Sequence, residues 1–187
     1  MIAFSVVVQH RHVHLSAQDQ QTLFGNTELT PLERLRQRGQ IVYRETVTIV
    51  GKRGELENVH VIGPSRENTQ AEISSSDAFA LGIDPPLRVS GDVVRTAPCE
   101  LKGPVGNVRV PVGLIIPARH IHCNPEDAQQ LGVNHMDVVD VSVQGRSDSI
   151  IESVTVRVHP TFEPEFHLTE DEAAEYWIHS GDKIVLQ

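Results

Sequence analysis

One short pattern occurs four times in this chain of 187 residues and constrains its fold more than any other feature. In "HRHVHLSAQD" (10–19) and "ARHIHCNPED" (118–127), a His-x-His pair is followed two residues later by a residue suited to capping a helix, Ser16 or Asn124. An acid, Asp19 or Asp127, stands three residues further on, near the capping-box position. Pro125 occupies the favoured first helical position, and Gly25 and Gly132 mark the expected helix ends. The pattern recurs in "EISSSDAFALG", as Glu72, Ser74, Asp77 and Gly82, and in "HLTEDEAAEYW", as His167, Thr169 and Glu172. Asp137 and Asp182 each fall 13 residues past their cap. A capped helix with an early acid is common in any protein. Four of them, each preceded by a His or Glu at the same distance, describe a recurring unit of strand, ligand, short helix, turn and strand.

The rest of the chain fits that unit. Short β-branched runs dominate: "FSVVV", "ETVTIV", "VHVIG", "LRVSGDVV", "VRVPVGLIIP", "DVVDVSV", "SVTVRV" and "KIVL", separated by Gly and Pro. The spacing predicts a mainly β chain with short helices, arranged as barrels or sandwiches rather than a doubly wound sheet. "LERLRQRGQ" (32–40) reads as a loop or an exposed helical turn, and "APCELKGPVG" as a Pro/Gly-rich turn around Cys99.

Residues i and i+2 of a strand share a face, so His12 and His14 point together, as do His120 and His122. Neutral imidazole is a common ligand for zinc and related metals, and a third protein ligand leaves a position open for chemistry. Two His-x-His pairs with Glu72 and His167 make six ligands, three for each of two divalent metals. One division is His12, His14 and Glu72 on one ion and His120, His122 and His167 on the other; a swapped division satisfies the count equally. The remaining histidines, His10, His60, His135, His159 and His179, read as surface or packing residues. Cys123 reads as a small buried residue, and nothing pairs Cys99 with a base. Arg66 precedes Glu72 by six residues, and its fork-shaped guanidinium suits an oxyanion.

Composition excludes several roles. The net charge is −9, from 25 acids against 16 bases, which argues against sequence-independent nucleic-acid binding. Thirteen of those bases are Arg and three are Lys, a balance that suits contacts to phosphate or carboxylate. Two cysteines make no disulfide framework. No apolar run approaches ~18 residues, so no membrane span is expected. "MIAFSVVVQH" lacks a basic n-region and a cleavage site, so the expected location is the cytoplasm.

"RHVHLS", "GPSRENTQAEIS", "PLRVSGD", "GPVG", "ARHIHCNPEDA" and "FHLTEDEA" together resemble the PduL-type phosphate propanoyltransferases, over nearly the whole chain and in order. The resemblance implies a phosphotransacylase, moving a short acyl group, propionyl or acetyl, reversibly from coenzyme A to phosphate. It implies two closed β-barrels with a metal site between them. One barrel takes residues 1–10 with 118–187, interleaved, and the other takes 11–117. It also implies His12, His14, Glu72, His120, His122 and His167 as metal ligands and Arg66 as the catalytic, phosphate-binding residue. The implied partners are acyl-CoA, phosphate, a second copy of the chain in a homodimer, and microcompartment proteins. Members sent into bacterial microcompartments carry an amphipathic extension before the first strand; here 11 residues precede His12 and read as a strand. The rival reading is a metal-dependent thioester or amide hydrolase, which would use a metal-bound water in place of phosphate.

Overall fold

The structure is a computed structural model that describes residues 2–187, with residues 147 and 148 described by their backbone alone. The chain runs β1 (Phe4–Gln9), β2 (His12–His14), α1 (Ala17–Phe24), β3 (Pro31–Arg34), β4 (Ile41–Val50), β5 (Glu55–Gly63), β6 (Gln70–Glu72), α2 (Ser75–Leu81), β7 (Leu87–Arg88), β8 (Ala97–Lys102) and β9 (Asn107–Pro117). It continues through β10 (His120–Cys123), α3 (Pro125–Leu131), β11 (Val138–Val143), β12 (Arg146–Val158), β13 (Glu165–Thr169), α4 (Glu170–Tyr176) and β14 (Lys183–Leu186). It divides into two compact units, Arg11–Pro117 and the remainder, in which β1 joins Ala118–Gln187.

Each unit closes a ring of six strands. In the unit 11–117 the ring is β4-β5-β2-β6-β9-β8 and back to β4, with β3 and β7 attached at its sides. In the other it is β1-β13-β10-β12-β11-β14 and back to β1. Closure removes the unpaired edges an open sheet would expose. The two rings share one pairing grammar. Each His-x-His strand, β2 or β10, runs antiparallel to the strand carrying the third candidate ligand, β6 or β13. On its other side it runs parallel to a long strand, β5 or β12. The strand bearing the third ligand lies parallel to one that comes just before a His-x-His strand in the chain: β9 beside β6, and β1 beside β13.

Alternation decides which side chains fill each barrel. Val13 lies between His12 and His14, and Ala71 between Gln70 and Glu72; both belong to a core with Leu15, Leu23, Ile49, Val59, Leu101 and Leu114. Ile121 and Phe166 take the same places in the other unit, in a core with Phe4, Val6, Val141, Ile151, Val154 and Ile184. The apolar residue of each triplet turns into the barrel, so the polar pair must turn to the other face of the strand.

All four capped helices form where the spacing places them. The Ser16 side chain accepts from Asp19 N, and Asn124 accepts from Glu126 N and Asp127 N. Ser74 with Asp77 and Thr169 with Glu172 make reciprocal capping boxes. Gly25, Gly82 and Gly132 end their helices in the left-handed conformation, and Trp177 takes that role after α4. Among the described residues, no helix is long and apolar enough to cross a membrane.

Three segments differ from their sequence reading. Of the run "LRVSGDVV", only Leu87–Arg88 is a strand, and turns occupy much of the rest. Residues 31–34 form an exposed strand paired with β4 rather than a loop or helical turn, because Pro31 and Arg34 align opposite Tyr43 and Ile41. Cys99 sits not in a turn but in β8, buried, with its apolar neighbours alternating into the core. Two tight turns of this unit join β4 to β5 and β8 to β9. Gly51–Gly54 and Gly103–Gly106 are twin Gly-x-x-Gly turns, each closed by a bond from the first Gly N–H to the last Gly carbonyl, both 2.9 Å. Each turn also donates its third N–H to a carbonyl in the last turn of a helix: Arg53 to Leu81 of α2 (3.0 Å) and Val105 to Leu23 of α1 (3.1 Å). A Cβ on Gly51 would lie 2.3 Å from the Leu81 carbonyl oxygen, and one on Gly103 2.4 Å from that of Leu23. Glycine is the residue that allows this approach.

Candidate metal centres

In the unit 11–117, the antiparallel register sets His12 opposite Glu72 and His14 opposite Gln70. Residues directly opposite in such a pair have their Cβ atoms ~4.5–5.5 Å apart, so four polar side chains meet on one face. All four are buried. The Glu72 carboxylate lies 3.6 Å from His12 Nε2 through Oε2 and 3.7 Å from His14 Nε2 through Oε1. The two imidazoles are edge-on, with centroids 5.0 Å apart. His14 Nδ1–H donates to the Ile62 carbonyl at 2.8 Å, which leaves Nε2 as the acceptor. Glu72 Oε1 accepts from Ser90 Oγ at 2.6 Å and from Gln70 Nε2 at 2.5 Å, while Gln70 Oε1 accepts from Gly91 N–H at 2.8 Å.

Arg66 is brought to this group by its own backbone. Its N–H donates to the Leu15 carbonyl at 2.9 Å, and it bridges to Ser16, the residue that caps α1. Its guanidinium then reaches His14 Nε2 through Nη2 at 2.8 Å and Ser90 Oγ through Nη1 at 3.2 Å. Burial, with the neighbouring His12 and the Arg66 charge, pushes the His14 imidazole down to about 3. Burial would raise the Glu72 carboxyl, but His12, His14, the Ser90 hydroxyl and Arg66 outweigh it and hold it down at about 2. At neutral pH the group is therefore a neutral His14 beside an ionised Glu72. Those are the protonation states a divalent cation requires of its ligands.

The other unit repeats the arrangement with different chemistry. His120 stands opposite His167 and His122 opposite Glu165, all four buried. The His120 and His167 rings are stacked at 5.0 Å, and His122 lies 4.6 Å from His167 and 4.7 Å from His120. Phe162 covers the His122 ring face at 4.0 Å. His120 Nδ1–H donates to the Ala118 carbonyl at 2.8 Å, and His167 Nε2 faces Glu165 Oε2 at 3.2 Å. Burial lowers the His122 basicity strongly, helped by His120, His167 and the Arg157 charge.

Both groups fit a cation. The ligand atoms of His12, His14 and Glu72 lie within 4.8 Å of one another, as do those of His122, Glu165 and His167. Four of their atoms are buried without a hydrogen-bond partner: Glu72 Oε2, both ring nitrogens of His122, and His167 Nδ1. Buried polar atoms in folded proteins are nearly always partnered. A set of inward-facing lone pairs from imidazole and carboxylate is the donor set of zinc and similar divalent ions. His120 belongs to the same four-residue face and meets the group by ring stacking. Glu165, Gln70 and Ser90 are members the sequence reading did not assign. The only sequence signal for the first two is their position two residues before a ligand, and it becomes visible once β6 and β13 are known to be strands.

Comparison with known proteins gives one result. Residues 5–179 match the family model described as phosphate propanoyltransferase. The phosphate propanoyltransferase of Thermotoga maritima is 48% identical over 183 residues, covering 97% of this chain and 87% of that protein. That of Rhodobacter capsulatus is 44% identical over 169 residues, covering 90% and 79%. That of Salmonella typhimurium is 42% identical over 167 residues, covering 89% and 80%.

Proposed function

The chain belongs to the phosphate propanoyltransferases, an acyltransferase family, and from that premise we propose that it moves a propionyl or acetyl group between coenzyme A and inorganic phosphate. The observation that carries the reading is Arg66, whose guanidinium lies 2.8 Å from a buried His–His–Glu cluster. In this reading His12, His14 and Glu72 hold one divalent metal, and His120, His122 and His167 hold the other, with zinc as the ion that suits the donors. When bound, the metals supply positive charge to phosphate and to the thioester oxygen as it becomes an oxyanion.

Arg66 binds the phosphate. Its planar fork matches two phosphate oxygens, and the bond to Ser90 Oγ helps to hold it; the His14 Nε2 lone pair that its Nη2 meets at 2.8 Å is the one a bound metal would take. Orientation of a weak nucleophile against a carbonyl can lower a barrier by as much as ~7–11 kcal/mol. In the reaction a phosphate oxygen bonds to the acyl carbon and the C–S bond breaks. The proton of hydrogen phosphate ends on the departing sulfur, giving acyl phosphate and free CoA thiol. Neither cysteine supports a covalent acyl-enzyme. Burial pushes the Cys99 thiol up to about 12, and burial with the Asp127 charge pushes Cys123 up to about 11. Their nucleophilic thiolates are scarce at neutral pH. By family likeness the working form is a homodimer.

The test is CoA-thiol release from propionyl-CoA and acetyl-CoA with phosphate varied from zero, beside metal analysis and light scattering. Release that depends on phosphate, with acyl phosphate trapped as hydroxamate and two metals per chain, supports the proposal. Release without phosphate would establish a hydrolase instead.

A further inference from the structure

We infer that Glu165 is a positioning residue of the second metal centre, orienting His167 as Gln70 orients Glu72 in the first. The inference rests on the reading that His167 and Glu72 are metal ligands.

The argument comes from a matched exchange of chemistry at equivalent positions. Gln70 and Glu165 each stand two residues before the third ligand of their unit, on the strand antiparallel to His-x-His. Each is paired in register with the second histidine: His14 with Gln70, and His122 with Glu165. Each also directs a side-chain atom at the third ligand. Where that ligand is the carboxylate Glu72, the partner is an amide, and Gln70 Nε2–H donates to Oε1 at 2.5 Å. Where it is the imidazole His167, the partner is a carboxylate, with Glu165 Oε2 3.2 Å from Nε2. An amide can donate to a carboxylate, and an ionised carboxylate can only accept. A carboxylate in place of Gln70 could not donate to Glu72, and an amide in place of Glu165 would keep an acceptor for His167 but lose the charge that strengthens the bond.

The consequence for His167 is a defined tautomer. With Nε2–H given to Glu165, the lone pair resides on Nδ1, the atom buried without a hydrogen-bond partner. Histidine ligands usually give their other ring N–H to such an acceptor. Losing it typically weakens metal affinity ~10–100-fold.

The experiment uses the full chain and reads metal binding, not turnover. Zinc and cobalt are titrated into metal-free wild type, Glu165→Gln, His167→Glu and the double variant Glu165→Gln/His167→Glu, with folding checked by circular dichroism. Glu165→Gln is close in shape and should keep the fold. It should weaken one of two binding events ~10–100-fold and shift the cobalt visible spectrum of that site, while the other event is unchanged. His167→Glu should weaken the same event. The double variant, which copies the Gln-x-Glu pair of the first centre, should recover at least part of that loss. Unchanged affinity and spectrum in Glu165→Gln, or a double variant no better than His167→Glu alone, would overturn the inference and leave the two-metal reading intact. A wild-type chain that binds one metal or none would overturn both.

Discussion

The depressed basicity of His14 and His122 makes stability depend steeply on pH, and the size of the effect follows from burial. In the unfolded chain a histidine titrates near ~6.5. In the fold, burial, His12 and the Arg66 charge take His14 down to about 3. Between those values the unfolded state binds the extra proton, so the fold gains stability as pH rises and loses it as pH falls. Each pH unit below ~6.5 costs about 1.4 kcal/mol per group, so His14 alone removes about 2 kcal/mol at pH 5.0. His122 is depressed further, so over this range its loss is also governed by the unfolded value and is about the same. Glu72, held at about 2 against an unfolded value near ~4.3, is ionised in both states at pH 5.0 and begins to contribute only in stronger acid. The assay is urea denaturation of metal-free protein in chelator at pH 7.5 and pH 5.0, followed by circular dichroism. Wild type should lose about 2 kcal/mol for each histidine. His14→Gln and His122→Gln should each remove about 2 kcal/mol of that difference. A wild-type difference below about 0.5 kcal/mol, or a variant that keeps the full difference, would refute the assignment of the effect to these imidazoles.

Three further outcomes are expected. Arg66→Ala should raise the KM for phosphate ~10–100-fold, the loss of a charged hydrogen bond worth ~1.5–3 kcal/mol, while the KM for acyl-CoA stays nearly constant; steady-state kinetics with each substrate varied checks it. Gly103→Ala should destabilise the chain by ~1–3 kcal/mol in urea melts, since its Cβ would meet the Leu23 carbonyl at 2.4 Å, and a melt unchanged from wild type would remove the turn's docking role. Cys99 and Cys123, both buried with raised thiol values, should resist a thiol reagent at pH 8 in the native state and both react once the chain is unfolded.

Local features were legible in the sequence and long-range ones were not. Ser16, Ser74, Asn124 and Thr169 announce helix starts because a cap acts on N–H groups two or three residues away. The shared face of His12 and His14 follows from strand geometry alone. Glu165 and Gln70 share a strand face with the ligand two residues on, but those short segments become strands only by pairing with β10 and β2, distant in the chain. Ser90 reaches Glu72 from 18 residues away through a loop. The twin Gly-x-x-Gly turns dock on helix ends distant in the chain, so "GKRG" and "GPVG" read only as turns. Cys99 reads as a turn residue because Pro98 lies within β8 and Gly103 follows it directly. The place of β1 in the ring with β13 and β14 has no local cause either. It came from likeness to a family and not from composition.

That placement of β1 has a bearing on synthesis. Phe4–Gln9 are synthesised before every other strand described, and their neighbours Glu165–Thr169 and Lys183–Leu186 after all the rest. Until those two strands emerge, Phe4 and Val6 lack the neighbours that bury them. Such a strand is a hazard for misassociation in the cell. Arg11–Pro117 contains all the strands of its own ring and can close as soon as Pro117 has emerged, whereas the ring that carries His122 waits for β14.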